Sequence, residues 1–335
     1  MNYLNRMWRD IKKDFEKEQY HNEYLLSRKL WLNNGIEYIL FYDRRNDTRQ
    51  IGIKLENDYD INIIKKFPNW SGIEIRVHDI MIEKKGTPYL IFAQLEEYDS
   101  IIYEVVMENI LKNLDSIEKN NRFLLVIKKT LDKWKTFFSL HGKAVMSEEM
   151  QQGLYGELQF LYRLIEKYGE NSVSFWSGYN RETHDFYIDG NGIEVKTTSS
   201  NHANIITINN EFQLDNRDVK KNLFLYFLAL RRSKNDGEKL SEMVKKITEQ
   251  ISNKENLNGF EEKLFRYGYI VSNPELYTSG FHIRFNKFFK VGIDFPKIIK
   301  NDLPSGVCNI SYKLDLDLCK EYSMEFAELL KNINY

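Results

Sequence analysis

The chain has 335 residues, 48 Lys+Arg against 49 Asp+Glu, and 42% hydrophobic residues, the composition of an ordinary folded protein. Its formal charge of −1 excludes a wholesale polyanion binder of the basic-tail kind, although a local basic patch can still meet a phosphate backbone. Two lone cysteines, Cys308 and Cys319, argue against zinc or a secreted disulfide framework, and neither a signal core nor a membrane-length apolar run is visible, so the expected compartment is the reducing cytoplasm.

Residues 3 to 31 read as one amphipathic helix, with Trp8, Ile11, Phe15, Tyr24, Leu25 and Leu30 near helical spacing and Asn33-Asn34-Gly35 ending it. Between 37 and 96 the period changes to two, as in Ile51, Ile53, Leu55 and Ile73, Ile75, Val77, which predicts an antiparallel meander. Glu83-Lys84-Lys85-Gly86-Thr87-Pro88 carries turn chemistry inside it. Asp99-Ser100 supplies a cap for a helix to about Leu114, and another helix covers roughly 122 to 139. Ser147 caps the next helix, whose apolar stripe is Leu154, Leu158, Leu161, Leu164 and Ile165, and Gly169 stops it. Short strands follow at about 184–188, 193–198 and 204–208, and then Leu223 to Leu230, apolar on both faces and therefore a central strand. A helix at 239–252, aromatic-rich strands from 264 and a last helix near 318–332 complete the chain, with Gly280-Phe281 and Pro304-Ser305-Gly306 as turns. The division expected is an N-terminal α+β module over 1–145, of unknown role, and a second domain over 146–335.

The stretch from His184 to Thr198 carries the chemistry. It reads as a hairpin about Gly190-Asn191, which sets Asp185 opposite Lys196, Phe186 opposite Val195, Tyr187 opposite Glu194 and Ile188 opposite Ile193. One face is then apolar, and the other gathers Asp185, Glu194 and Lys196. Two carboxylates about 5 Å apart repel by roughly 3 kcal/mol at an effective dielectric of about 20, a cost that a divalent cation reverses. Magnesium favours oxygen ligands, so Asp185, Glu194 and the Val195 carbonyl suit Mg²⁺, with Lys196 orienting a retained water and offsetting charge on a phosphoryl oxygen. That chemistry is phosphodiester hydrolysis. The competing reading is a surface hairpin with an Asp185–Lys196 salt bridge worth about 0.2–1 kcal/mol.

Glu157 bears on the choice. By 100° steps it falls inside the leucine stripe of the preceding helix, beside Gly153 and Gly156, and an inward glutamate wants a charge partner or metal unless it snorkels from the edge. Gly156-Glu157-Leu158 on a helix, then Asp185, then Glu194-Val195-Lys196 on the next strand, resembles the PD-(D/E)XK nuclease superfamily of many restriction endonucleases. The whole chain, more loosely, resembles a prokaryotic PD-(D/E)XK family associated with restriction or phage-defence gene neighbourhoods. The resemblance implies a restriction-endonuclease-like α/β fold, a mixed central sheet flanked by helices. It also implies Asp185 and Glu194 as metal-binding acids, Lys196 as catalytic lysine and Glu157 as auxiliary acid. One departure is His184, which stands where the name-giving proline does, a position expected to touch no metal.

These readings set the functional expectations. The protein is expected to be a Mg²⁺-dependent endonuclease acting on DNA, with Mn²⁺ as a substitute metal, in a restriction or antiviral defence system that includes an ATPase or methyltransferase partner. The alternative is a non-cleaving DNA-binding or scaffolding subunit of a defence complex that keeps the fold. No membrane partner is expected, and cutting both strands would be served by a homodimer. Thr197, Thr198 and, beyond them, Gln213, Lys220 and Lys221 are candidates for substrate binding, as solvated loop residues are the bland alternative. Ser199, Asn201 and His202 continue the same polar loop. The aromatic and basic run from Phe265 to Lys300, with Arg266, Arg284, Lys287, Lys290 and Lys297, fits a DNA-contacting surface or, in slight preference, core strands with lysines on the wet face.

Overall fold

A computed structural model describes the chain except residues 1–2, 57, 70–71, 83–84, 96–99, 119–121, 143–145, 181, 202–203 and 334–335. The predicted cap at Asp99, the turn residues Glu83 and Lys84, and His202 lie outside the described residues. The chain divides into two compact units, Met1–Lys143 and Ala144–Tyr335.

In the first unit, helix α1 covers Tyr3–Asp14 and buries Leu4, Trp8 and Ile11, one per turn. The helix expected to run on to residue 31 stops there. Leu25–Trp31 is strand β1, in which half-buried and exposed residues alternate, because its true period is two and Leu25 and Leu30 sit on opposite faces. Strands β2 (Glu37–Asp43), β3 (Thr48–Lys54), β4 (Ile73–Ile82) and β5 (Lys85–Gln94) complete an antiparallel sheet of order β1-β2-β3-β5-β4, and a one-turn helix α2 (Ile61–Ile64) lies between β3 and β4. The expected meander therefore holds for three strands, after which a hairpin joins with its second strand inward. Helices α3 (Ser100–Asp115) and α4 (Phe123–His141) follow, near the expected bounds. Tyr103 on α3 donates to the Phe92 carbonyl at 2.7 Å, and the buried Arg49–Glu104 pair at 2.9 Å ties β3 to the same helix.

In the second unit, helix α5 covers Glu148–Tyr168, starting where Ser147 Oγ accepts from the Met150 N–H at 3.2 Å and ending at Gly169, whose φ of 81° only glycine adopts freely. Strands β6 (Phe186–Ile188), β7 (Asn191–Thr198), β8 (Ile205–Ile208), β9 (Leu223–Ser233) and β10 (Glu238–Lys239) come next. Helices α6 (Leu240–Glu249) and α7 (Lys254–Tyr267) precede β11 (Gly280–Lys290), β12 (Tyr312–Asp315), β13 (Ser323–Met324) and helix α8 (Phe326–Asn332). The central sheet runs β10-β11-β9-β7-β6 with β13 on β11. The β7–β9 pair is parallel and its other pairs antiparallel, so this is the mixed sheet of an α/β, restriction-endonuclease-like fold. The first eight residues of β9 are buried, as expected of a central strand.

The strand expected at 204–208 is present as β8 and pairs with β12. Several other expectations are corrected. Helix α7 occupies a stretch that had no predicted helix and that includes Phe265, expected in a strand. Gly280 opens β11 rather than a turn, and the helix expected at 318–332 is a 3-10 segment Leu316–Tyr322 followed by β13 and the shorter α8. No described helix is long and apolar enough to cross a membrane.

The two faces of the central sheet bury separate cores. One joins Leu154, Leu158, Leu161 and Leu164 of α5 to Phe186, Ile193, Val195 and Tyr226, and the other joins Leu225, Phe227 and Phe289 to Ile206, Ile208 and Leu314 of the β8–β12 ribbon.

Candidate active site

The hairpin β6–β7 pairs Phe186 with Ile193, Tyr187 with Gly192 and Ile188 with Asn191. Its two-residue turn is thus Asp189-Gly190, with φ values of 47° and 78°, the pair of positive angles that an Asp-Gly hairpin turn supplies. The expected register about Gly190-Asn191 is off by two residues. Because side chains alternate with period two, the slip leaves each residue on its expected face but sets Asp185 level with Glu194 instead of Lys196.

Strand β6 is only three residues long, so among the described residues the edge of β7 beyond Ile193 has no strand paired to it. The Asp185 carboxylate stands in for one. Its Oδ2 accepts from the Val195 N–H at 2.8 Å, while its backbone carbonyl accepts from the N–H groups of Ser177 at 2.8 Å and Gly178 at 3.1 Å. Because the N–H and C=O of a strand residue point to the same edge, the Val195 carbonyl faces this open edge too.

Three carboxyl groups come together around this edge. Glu157 arrives from α5, which lies close enough to β7 that a Cβ on Gly156 would come within 3.0 Å of Thr197 Cγ2. Glu157 is 6% exposed; its Oε2 accepts from Trp176 Nε1 and its Oε1 from the Tyr267 hydroxyl, both at 2.7 Å. A Cβ on Gly178 would lie closer than 3.0 Å to Glu157 Oε2 and 3.0 Å from Asp185 Oδ1, so the two carboxylates share the space over that glycine. Glu194, 2% exposed, pairs through Oε1 with Lys196 Nζ at 2.8 Å. Lys196 also donates to Gln213 Oε1 at 2.8 Å, and the same oxygen accepts from the Asn209 N–H.

The electrostatics follow from this crowding. Burial pushes the Glu157 carboxyl up to about 7; the Trp176 and Tyr267 hydrogen bonds and Lys196 oppose that rise, and the charge of Glu194 adds to it. Asp185 is likewise held well above the usual carboxylate range by burial, then by Glu157 and Glu194, against the pull of Lys196 and the Val195 N–H. Such a cluster of acids against one ammonium is short of positive charge. All the donors at the open edge are oxygens: Asp185, Glu194 and the Val195 carbonyl. Glu157, with both oxygens already hydrogen-bonded, is less available. Among the described residues no group of three His, Cys, Asp or Glu side chains is placed to hold a metal ion, so the donor set at this edge is two carboxylates and one carbonyl.

His184 sits deeper in the site than the sequence suggested. It is fully buried, its Nε2 lies 3.1 Å from Asp218 Oδ1, and its Nδ1 lies 3.8 Å from Glu194 Oε2, with no hydrogen-bond partner among the described residues. Burial pulls its pKa down, but Glu194 and then Asp218 outweigh this and raise it. The residue in the proline position therefore flanks one of the acids.

The candidate substrate-binding residues divide. Gln213 joins the cluster through Lys196. Thr197 faces α5 and accepts from Gln152 Nε2 at 3.2 Å, and Thr198 Oγ1 accepts from the Ser200 N–H at 3.2 Å. Lys221 pairs with Asp189, and Lys220 packs over Gly190, both at the turn of the hairpin, several residues along β7 from Lys196. Sequence reasoning missed Trp176, Tyr267, Gly178 and Asp218. An inward glutamate signals that donors must surround it, but not which residues supply them.

Residues 4–317 match the family described as "Putative PD-(D/E)XK family member (DUF4420)". No curated protein and no solved structure matches the chain.

Proposed function

The chain belongs to this PD-(D/E)XK family, and from that premise we propose that it hydrolyses phosphodiester bonds of DNA at the edge of β7. The observation that carries the reading is the meeting of Glu157 and Asp185 over Gly178, with Asp185 held by the Val195 N–H and the buried Glu194–Lys196 pair on the same strand. Asp185, Glu194 and the Val195 carbonyl form an all-oxygen donor set that suits Mg²⁺, or Mn²⁺ in its place. The divalent ion, when bound, supplies an activated water and neutralises charge on the phosphate.

The protein's own groups do the remainder. The Val195 N–H fixes the Asp185 carboxylate, and Trp176 with Tyr267 fixes Glu157, so neither acid must be ordered when substrate arrives. Lys196, steadied by Gln213, presents a positive charge to the phosphoryl oxygens as they gain charge, the point at which preorganised charge lowers the barrier most. Glu157, at about 7, is tuned to take or hold a proton near neutral pH. The expected setting is a prokaryotic restriction or phage-defence system, in which an ATPase or methyltransferase would select the site to be cut.

The test is cleavage of supercoiled, linear and single-stranded DNA by purified protein with Mg²⁺, Mn²⁺ or EDTA. Metal-dependent cutting that Asp185→Ala and Lys196→Ala abolish is the expected outcome. If no substrate is cut and calorimetry detects no metal uptake, the reading fails in favour of a non-cleaving subunit.

A further inference from the structure

Beside the carboxylate cluster lies a cation–aromatic shelf that the hydrolytic chemistry does not use. Tyr179 belongs to the 3-10 turn Gly178–Asn180, one residue past the glycine over which Glu157 and Asp185 meet; adjacent Cα atoms are about 3.8 Å apart. Its ring is half-buried and set edge-on to Trp176, with centroids 5.9 Å apart. Two cations of α7 lie over it, Lys263 Nζ at 5.0 Å and Arg266 Cζ at 5.6 Å from the centroid. The next residue of α7, Tyr267, holds Glu157, so one helix positions both the acid and the shelf.

The two cations differ in their exposure. Lys263 donates to the Val173 carbonyl at 2.6 Å and the Trp176 carbonyl at 2.8 Å, and burial brings it down to about 8. Its role is to close the loop that carries Trp176. Arg266 is exposed, and a guanidinium stays charged at any physiological pH and stacks on rings and bases alike. An exposed guanidinium over an aromatic ring is the pairing by which proteins hold unpaired nucleotides, the cation meeting the backbone and the flat surface meeting a base. In a duplex the base faces are already stacked on each other.

Resting on the phosphodiester-hydrolysis reading, we propose that Tyr179 and Arg266 form a subsite for an unpaired nucleotide next to the scissile phosphate, which makes the preferred substrate single-stranded, or frayed, DNA. Arg266 takes the flanking phosphate and the base stacks on the shelf. The contact is independent of base identity, because each base has a π face.

The experiment is fluorescence anisotropy of the full chain in EDTA, where nothing is cut, with a labelled 12-nucleotide oligo(dT) and a 12-base-pair duplex as probes. Arg266→Ala is expected to weaken oligo(dT) binding by about tenfold and to reduce the salt slope by about 0.7, the value for one phosphate contact on a single strand. Tyr179→Leu is expected to weaken it comparably with an unchanged slope, and Tyr179→Phe, which keeps the ring, to stay within about twofold of wild type. Duplex binding should change less than about twofold in all three. Melting curves confirm that the variants fold. Equal losses on duplex and oligo(dT), oligo(dT) binding by folded Tyr179→Leu and Arg266→Ala at wild-type strength, or no oligo(dT) binding by the wild type would each overturn the subsite. A wild type that binds as described but neither cuts nor takes up metal removes the hydrolysis reading and leaves the subsite standing; one that cuts while these variants bind normally removes only the subsite.

Discussion

Gly156 is where the helix carrying Glu157 touches the strand carrying Glu194 and Lys196, and Gly156→Ala tests whether that contact sets the site. An added Cβ would stand closer than 3.0 Å to Thr197 Cγ2 and 3.4 Å from Val195 Cγ1, against an optimum of about 3.5–4.0 Å between carbons. Thr197 cannot simply turn away, because its Oγ1 accepts from Gln152. The helix must therefore retreat by roughly an ångström or more, and overpacking of this kind costs about 1–3 kcal/mol. Against this, alanine in a helix interior gains about 0.8–1.0 kcal/mol over glycine. The net expectation for Gly156→Ala is a loss of up to about 2 kcal/mol, or a melting point lower by about 2–4 °C per kcal/mol in a unit of this size.

Thr197→Ser decides the cause. It removes the methyl and keeps the hydroxyl, so in its background Gly156→Ala should become stabilising by close to the full helix gain, a coupling of about 1–3 kcal/mol. Calorimetry of the four proteins measures that cycle. Effects that add within about 0.5 kcal/mol would show that the Thr197 methyl is not what the glycine accommodates. Cleavage assays on the same proteins should move in parallel, since a displaced α5 carries the Glu157 carboxylate off its Trp176 and Tyr267 donors.

Three further outcomes are expected. Glu157 binds its proton more tightly in the folded chain, so its contribution to stability is complete below its ordinary 4.5 and is lost as pH rises through about 7; in EDTA, Glu157→Gln should gain on the wild type across that interval, and a gap independent of pH would contradict the raised pKa. Trp176→Phe keeps the aromatic packing against Tyr267 but takes one of two donors from a buried carboxylate, a loss of about 1.5–3 kcal/mol that a denaturant titration would register. His184→Gln should reduce kcat about tenfold with KM little changed, an estimate typical of a lost positioning contact, because the imidazole stands between Asp218 and Glu194; unaltered kcat would make the histidine mere packing.

What could be read from the sequence depended on how local the signal was. Ser147 and Gly169 bracket α5 by capping chemistry contained within a few residues, and the apolar run of β9 needs two buried faces wherever it sits. Residues 25–31 fit a helix loosely through Leu25 and Leu30, while the alternation of β1 is masked by Arg28 on its half-buried face and by Leu25 and Trp31 on its exposed face. In the β6–β7 hairpin the stronger turn signal is Asp189-Gly190, one residue before the Gly190-Asn191 pair. The two-residue slip did no harm to the site because faces repeat every two residues.

The site shows the same division between local and distant information. Asp185, Glu194 and Lys196 are legible because a hairpin fixes their faces, and the helical period alone turns Glu157 inward. The donors that make a buried Glu157 tolerable lie 19 and 110 residues away, on a loop and on a helix the sequence did not reveal. A buried carboxylate without donors would cost several kcal/mol, so the need for them was foreseeable while their identities were not. The brevity of β6 has a similar logic. Were Asp185 to continue the ladder as an ordinary strand residue, a backbone carbonyl would occupy the Val195 N–H and close the edge. By meeting that N–H with its side chain, Asp185 ends the sheet pairing, keeps the neighbouring carbonyl accessible and places its own free oxygen beside Glu157, so a single residue both terminates the strand and opens the site.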